Sequence, residues 1–453
     1  MIKLLVRKFK GFFLVGHERT LLAKKNIAFS LAIKGAAISI SLLLVPITIS
    51  YVNPLQYGIW LTLSSIIGWF GFFDIGLGNG LKNKLAESNA LNETVNSKTY
   101  ISTTYAMISL IALLLFLIFL ISNIFLNWNK ILNTPTINGL NLNLLALIVF
   151  GSFCLQLISQ TLNSVLLAFH SVSKVSLINL VGQFGCLVCL IVLKNVSSES
   201  LLYLVLALAG LPLLVQIGAN IWYFRKEYSL VSPSFKMVNF KYAKSLLSVG
   251  GLFFFIQIGA LLLFQTDNIV VTQLFGPREV TVYNISYKLF AVIFSVFSII
   301  MTPFWAAFTD AYSKKDYLWI KDIFRKMYKY LIIVAVLTFI IVILSPFIIK
   351  IWLGDSIKVP FILSFVMGIY VITWCWQLMH CYLINGIGKI RMQFYLFIIS
   401  TIINIPIAFF LGKWIGVVGV TISNIIILLF QDIVLYIQCN KLLNGTAKGI
   451  WYK

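Results

Sequence analysis

Apolar runs about twenty residues long follow one another along almost the whole chain, and its charges fall mainly in the gaps between them. A segment of that length satisfies its own backbone hydrogen bonds only as a helix, so the pattern restricts the chain to membrane-spanning helices. The composition agrees: 60% of 453 residues are hydrophobic, 11% are charged, and the mean hydropathy is +0.97. A soluble domain is about 45–50% apolar and about 25% charged.

Twelve spans are expected: Ile27 to Ile49, Tyr57 to Leu77, Tyr100 to Leu126, Leu142 to Phe169, Val175 to Leu193 and Leu201 to Phe224. After a polar break come Leu246 to Phe275, Val280 to Phe308, Tyr330 to Trp352, Val359 to Leu383, Met392 to Leu411 and Gly416 to Ile437. Lysine and arginine placement orients them. The N-terminal arm, every second gap and the C-terminal tail hold 27 basic residues, the opposite gaps hold six, and Lys34 and Lys288 fall inside spans. Both termini are therefore expected in the cytoplasm of an inner (plasma) membrane protein. The net charge of +22 belongs mostly to this cytoplasmic rim against an anionic leaflet, not to a nucleic-acid-binding surface. The basic first twenty-five residues lack the apolar core of a cleavable signal. Ile2 to Val15 suit a short amphipathic helix on the inner surface.

Several chemistries are excluded. Cys186 and Cys189 form a C-x-x-C pair inside apolar helix with no second pair, and His17, His170 and His380 are scattered, so no metal or cofactor site is expected. Gly76-x-Gly78-x-Gly80 ends a membrane helix, follows no strand and carries no phosphate-binding lysine, so it is not a nucleotide loop. No loop is long enough for a catalytic domain, and none carries a carboxylate pair or a Ser/His/Asp set. The chain is not expected to be an enzyme or to hydrolyse ATP. Movement of a substrate would draw on an ion gradient, the membrane potential or the substrate's own gradient.

Six spans precede the basic linker Arg225 to Lys244 and six follow it. Pro54-Leu-Gln-Tyr57 after the first span echoes Pro277-Arg-Glu-Val280 after the seventh, and Ser171-Val-Ser-Lys174 after the fourth echoes Gly386-Ile-Gly-Lys389 after the tenth. An even number of spans per half sends both halves in from the same face, related by an axis along the membrane normal. The expected architecture is all-α: twelve transmembrane helices in two six-helix bundles, residues 1–232 and 233–453, around a central cavity.

Ionisable groups inside spans sharpen the picture, because a charge at bilayer depth costs about 2.5–3.5 kcal/mol on insertion scales. Lys34 in the first span and Asp74 in the second both lie near the inner face. Asp267 in the seventh and Lys288 in the eighth both lie roughly 13 Å below the outer face. Each half thus offers a Lys–Asp pair. The pairs either clamp neighbouring helices or line a wet cavity. In the second case Lys34 and Lys288 attract an anionic substrate while Asp74 or Asp267 takes a coupling cation. Asp432 has no evident partner and lies close enough to the cytoplasm to be solvated. Gln156, Gln160 and Asn163 share one helix face, as do Gln257, Gln265 and Asn268, and these six are candidates for a cavity wall. Trp374 and Trp376 lie near mid-span, and Pro46, Pro212, Pro303, Pro346 and Pro406 mark sites where helices can kink.

The stretch Asn53-Pro-Leu-Gln-Tyr-Gly-Ile-Trp60, followed by Trp69-Phe-Gly-Phe-Phe-Asp74-Ile-Gly-Leu-Gly-Asn-Gly80-Leu-Lys-Asn-Lys-Leu-Ala-Glu87, resembles the second-helix signature of polysaccharide repeat-unit (O-antigen) flippases. These belong to the multidrug/oligosaccharidyl-lipid/polysaccharide exporter superfamily. Gly276-Pro277 and Asn385-Gly-Ile-Gly-Lys389 resemble the same family, so the match spans essentially the whole chain. The resemblance implies transfer of an undecaprenyl-pyrophosphate-linked oligosaccharide from the inner to the outer leaflet for O-antigen or capsule assembly. It also implies membrane lipids, a coupling cation (H+ or Na+), and polysaccharide polymerase and chain-length machinery as partners, and no nucleic acid. Of the family's cationic lumen this chain matches Lys34 and Lys288. An ion-coupled drug or metabolite exporter of the same superfamily shares this architecture and is the alternative.

Overall fold

The structure, a computed structural model, describes residues 18–68, 74, 76–91, 93–134, 141–169, 171–243, 246, 266–355 and 357–452. The amphipathic segment expected before residue 16 lies outside them, as do His17, His170, Gln257 and Gln265. Among the described residues every regular element is helical, and ten helical segments are long and apolar enough to cross a membrane.

The first span is α1 (Glu18–Tyr51), a single helix through Pro46. It is followed by α2 (Pro54–Gly68) and α3 (Leu77–Ala90). The third span is α4 (Thr94–Phe125), and the fourth is divided into α5 (Leu142–Ser159) and α6 (Thr161–Ala168). The fifth is α7 (Val172–Val196). The sixth runs from α8 (Leu201–Val205) through a π-helical turn at Leu206–Gly210 into α9 (Leu211–Arg225), whose first turn holds Pro212. A wide turn there removes the clash that the proline ring would make with an ordinary preceding turn. Of the seventh span the described parts are Leu246 and α10 (residues 266–275). Then come α11 (Pro277–Ser313), α12 (Tyr317–Leu353), α13 (Phe361–Ile387), α14 (Arg391–Ile415) and α15 (Val417–Leu443).

The second span is where the fold departs most from expectation. A single helix from Tyr57 to Leu77 is expected, but residues 74 and 76 form a turn and a new helix starts at Leu77. The carboxylate of Asp74 accepts hydrogen bonds from the Gly76 and Gly78 amides at 3.0 and 3.2 Å, which satisfies amides that a helix start leaves unpaired. Gly76 adopts φ 75°, and a Cβ at Gly80 would lie 2.2 Å from the Leu246 carbonyl oxygen. The glycine-rich run therefore builds a sharp turn and a close helix contact.

Two buried clusters organise the helices. One runs through Leu63, Leu81, Ile101, Phe150 and Leu190, and the other through Phe290, Met327, Met367, Cys375 and Leu435. The first cluster also takes in Val282, Ile285, Ile349, Leu353 and Leu363. These belong to the helix ends near Pro277, Leu353 and Phe361. At that end α2 packs on α11 so closely that a Cβ on Gly58 would fall 1.7 Å from the Pro277 carbonyl oxygen. Thr62 and Thr272 hydroxyls meet at 2.6 Å, Thr281 donates to the Pro54 carbonyl at 2.6 Å, and Trp352 donates to the Leu42 carbonyl at 3.0 Å. Among the described residues, the hydrogen bonds joining helices before residue 226 to helices after residue 265 gather toward this end. It is the closed end of the molecule.

Candidate functional site

Two polar centres meet on α11. The first surrounds Lys288, which is half-buried between α2 and α1. Its Nζ donates to the Tyr57 hydroxyl at 3.2 Å and lies 5.9 Å from the centre of that ring. A phenol ring offers a cation both its oxygen and its π face, which offsets part of the desolvation of an ammonium at this depth. Beside Lys288 opens a cavity of about 340 Å³ lined by Ala37, Ile38, Ser41 and Leu42 of α1, Gln183 of α7, and Tyr287, Ala291, Val292 and Ser295 of α11. The wall thus draws on helices from both ends of the chain. Gln183 Oε1 is buried there without a hydrogen-bond partner. Lys34 is exposed one turn before Ile38, and residues 34, 38 and 41 share one face of α1. Lys288 thus lies in the cavity wall, whereas Lys34 is not among its lining residues.

The second centre is built on Asp267 of α10, which is 5% exposed. Its Oδ2 accepts from the Tyr283 hydroxyl of α11 at 2.6 Å and from Asn424 Nδ2 of α15 at 2.7 Å, while Oδ1 has no partner. Asn424 Oδ1 in turn accepts from Asn404 Nδ2 of α14 at 3.0 Å, and Ser423 donates to Asn404 Oδ1 at 3.2 Å. Four helices thus converge on one carboxyl group. The neighbouring residue faces the other way: Asn268 Nδ2 donates to Ser65 of α2 at 2.7 Å, and its Oδ1 accepts from Asn284 Nδ2 at 2.6 Å. Adjacent residues on a helix point about 100° apart, so Asp267 and Asn268 link the interior of the later helices to the junction with the earlier ones. Tyr283 and Tyr287 rings stack at 6.5 Å, which connects the Asp267 centre to the cavity one turn along α11.

The expected pairings do not form. Asp267 meets the Tyr283 face of α11, and Lys288 is five residues further on, about 7.5 Å along and about 140° around the helix. Asp74 caps α3 instead of meeting Lys34. Asp432 is not solvated: it is 0% exposed, with His380 Nδ1 3.6 Å from its Oδ1. Asn163 accepts from Gln216 Nε2 at 3.0 Å, in a network where Asn220 binds the Ser159 carbonyl at 2.8 Å. The helix turns at Gln160 between α5 and α6, so Gln156, Gln160 and Asn163 do not follow one straight helix face. Gln156 is half-buried and Gln160 exposed. Trp374 stacks on Phe294 with ring centres 3.5 Å apart. Sequence reasoning missed Tyr57, Tyr283, Gln431 and His380 as polar partners. The heptad spacing of Asn424, Gln431 and Gln438, all buried on α15, was a signal available in the sequence. Among the described residues no group of three or more His, Cys, Asp or Glu could hold a metal ion.

Comparison with known proteins decides the family. The profile described as polysaccharide biosynthesis protein matches residues 23–308. The chain belongs to that family. A second profile, MatE, matches residues 253–410, in keeping with the wider exporter superfamily. A Yersinia pseudotuberculosis protein named for O-antigen export is 24% identical over 74% of this chain and 76% of its own length. A Salmonella typhimurium protein named as an O-antigen transporter is 24% identical over 83% of this chain and 87% of its own. Among solved structures, the inward-facing conformation of a multidrug resistance MATE family transporter of the MOP superfamily aligns with a TM-score of 0.77. It is 13% identical and covers 93% of this chain and 98% of that one. An outward-facing conformation of such a transporter gives a TM-score of 0.61 at 14% identity, covering 93% and 96%. The resemblance carried by the Asp74-to-Glu87 stretch is thereby borne out, as is the all-α polytopic fold. The chain is a multi-pass membrane protein, and the relatives it matches are named as transporters and exporters, not enzymes.

Proposed function

We propose that this protein is a flippase that moves undecaprenyl-pyrophosphate-linked oligosaccharide repeat units from the cytoplasmic to the periplasmic leaflet of the inner membrane, for O-antigen or capsular polysaccharide assembly. The observation that carries this reading is a cavity holding Lys288, between helices from early and late in the chain and sealed at one end by the Gly58–Pro277 and Thr62–Thr272 contacts. The excess of 27 basic residues over six assigns the sealed end to the periplasm and both termini to the cytoplasm, so the molecule is inward-facing. The second buried cluster, whose buried members all follow residue 265, supports two six-helix units, residues 1–232 and 233–453, that rock about their common face.

In this reading the pyrophosphate enters from the cytoplasmic side and is drawn to Lys34 and then to Lys288. The cavity, about 340 Å³, is at the small end of ligand pockets, which span about 300–1,000 Å³, so a repeat unit needs the halves to separate further. Asp267 is the coupling site for a proton or Na+, since its Oδ1 is free while its Oδ2 is held by a hydroxyl group from α11 and an amide group from α15. A cation there redistributes the bonds to Tyr283 and Asn424, and α11 carries the change one turn on to Tyr287 and Lys288. Asp74 acts as the cap that holds α3 in place. Polymerase and chain-length machinery would receive the flipped unit.

A drug or metabolite exporter is the second reading, favoured by the MatE match over residues 253–410. Reconstitution in vesicles separates the two. With defined lipid-linked sugars and imposed H+ or Na+ gradients, gradient-dependent exchange between leaflets is expected. Absence of exchange alongside efflux of cationic dyes would favour the exporter.

A further inference from the structure

We propose that His380 and Asp432 form a proton-binding pair within the second half of the molecule, distinct from the Asp267 centre. Both side chains are 0% exposed, and His380 Nδ1 lies 3.6 Å from Asp432 Oδ1. Neither Asp432 oxygen has a hydrogen-bond partner. On the other side of the imidazole the Tyr328 hydroxyl of α12 is 3.2 Å from Nε2. Phe324, Trp376 and Tyr436 rings stand 5.6, 5.5 and 6.1 Å from the imidazole. The titratable groups facing the pair are Tyr328 from α12, Cys381 from α13, and Tyr436 and Cys439 from α15. Among the described residues no lysine or arginine pairs with either member.

Electroneutrality makes the argument. An isolated carboxylate with no donor on either oxygen is among the costliest groups to hold in a membrane interior. An aspartate and a histidine together are neutral when they share one proton. An ionised oxygen would draw an imidazole N–H to about 2.7–2.9 Å, so the 3.6 Å separation favours a neutral carboxyl group beside a neutral imidazole over an ion pair. With the Tyr328 hydroxyl as donor to Nε2, the imidazole is neutral and carries its hydrogen on Nδ1; with the roles reversed, Nδ1 is free to accept from the carboxyl group.

The location gives this proton a use. Asp432 follows Asn424 by eight residues, about 12 Å along the same face of α15, so one helix touches both acid centres. His380 lies in the last two turns of α13, toward the end of the molecule away from the Thr62–Thr272 contact. As that end changes its exposure to water, the carboxyl group can release its proton to water and regain it, and the pair binds one proton per cycle. The inference depends on the packing of α12, α13 and α15 and holds whichever substrate is carried.

The test is infrared spectroscopy of the full-length protein in phosphatidylethanolamine–phosphatidylglycerol vesicles at neutral pH. The wild type should show a protonated-carboxyl C=O stretch that disappears in Asp432→Asn, and His380→Gln should displace that band. Identical wild-type and Asp432→Asn spectra in this region would overturn the proposal. Should Asp432→Asn fail to accumulate, Asp432→Glu keeps the acid and must shift the same band; an unshifted band overturns the proposal equally.

Discussion

Lys288 carries the clearest functional expectation of any single residue. It is a cation held within a span by one hydroxyl and one aromatic face, with no carboxylate paired to it among the described residues. Its positive charge is therefore available to an anionic ligand in the adjoining cavity. Lys288→Met should slow leaflet exchange of a pyrophosphate-linked sugar by tenfold or more while leaving thermal stability unchanged or raised, since it removes a desolvated charge. Stopped exchange assays and thermal unfolding on the same preparation separate the two effects. Asp267→Asn should behave differently. An amide can still bond Tyr283 and Asn424, so the protein should fold, yet exchange should lose its dependence on an imposed cation gradient. The presence of an ionisable group within a span was legible in the sequence for both. The direction in which each points was not, because five residues of helix separate Tyr283 from Lys288 by about 140°, and spacing from the helix end gives height only.

At the scale of elements, apolar run length located the spans well because it is a property of each segment alone. The interruptions were harder to read. The turn at residues 74 and 76 and the helix start at Leu77 depend on Asp74 turning back onto two amides, a local bond that competes with a continuous helix. Asp74→Ala should destabilise α3 by about 1 kcal/mol, the usual worth of such a cap, readable as a lower unfolding temperature. The turn at Gln160 was hidden for a similar reason, since its surroundings are as apolar as any other span. Gly58 shows the opposite case, where the sequence gives no hint of a demand set by a partner helix. Its hydrogen faces the Pro277 carbonyl of α11, and even Gly58→Ala places a methyl 1.7 Å from that oxygen. That substitution should force α2 and α11 apart and cost at least the 1–3 kcal/mol typical of overpacking. Loss of the closed end should appear as new accessibility of residues around Thr62 to a membrane-impermeant label.

For the whole molecule, the lysine and arginine asymmetry and the two motif echoes pointed to a twelve-span plan, and the all-α fold and the family match agree with it. What the chain could not disclose was which end is shut, because a single sequence encodes every state of a moving protein. The structure shows one state, with its inter-half hydrogen bonds gathered at the Gly58–Pro277 end. Alternating access requires those contacts to part in every cycle. Thr62 and Thr272 touch across the seal at 2.6 Å, so a Thr62→Cys, Thr272→Cys double variant should form a disulfide that holds it shut. Exchange of lipid-linked sugar between leaflets, measured in vesicles before and after reduction, tests the account most directly. Abolished exchange under oxidising conditions, restored by a reductant, is the predicted result; undiminished exchange through the cross-linked protein would contradict it.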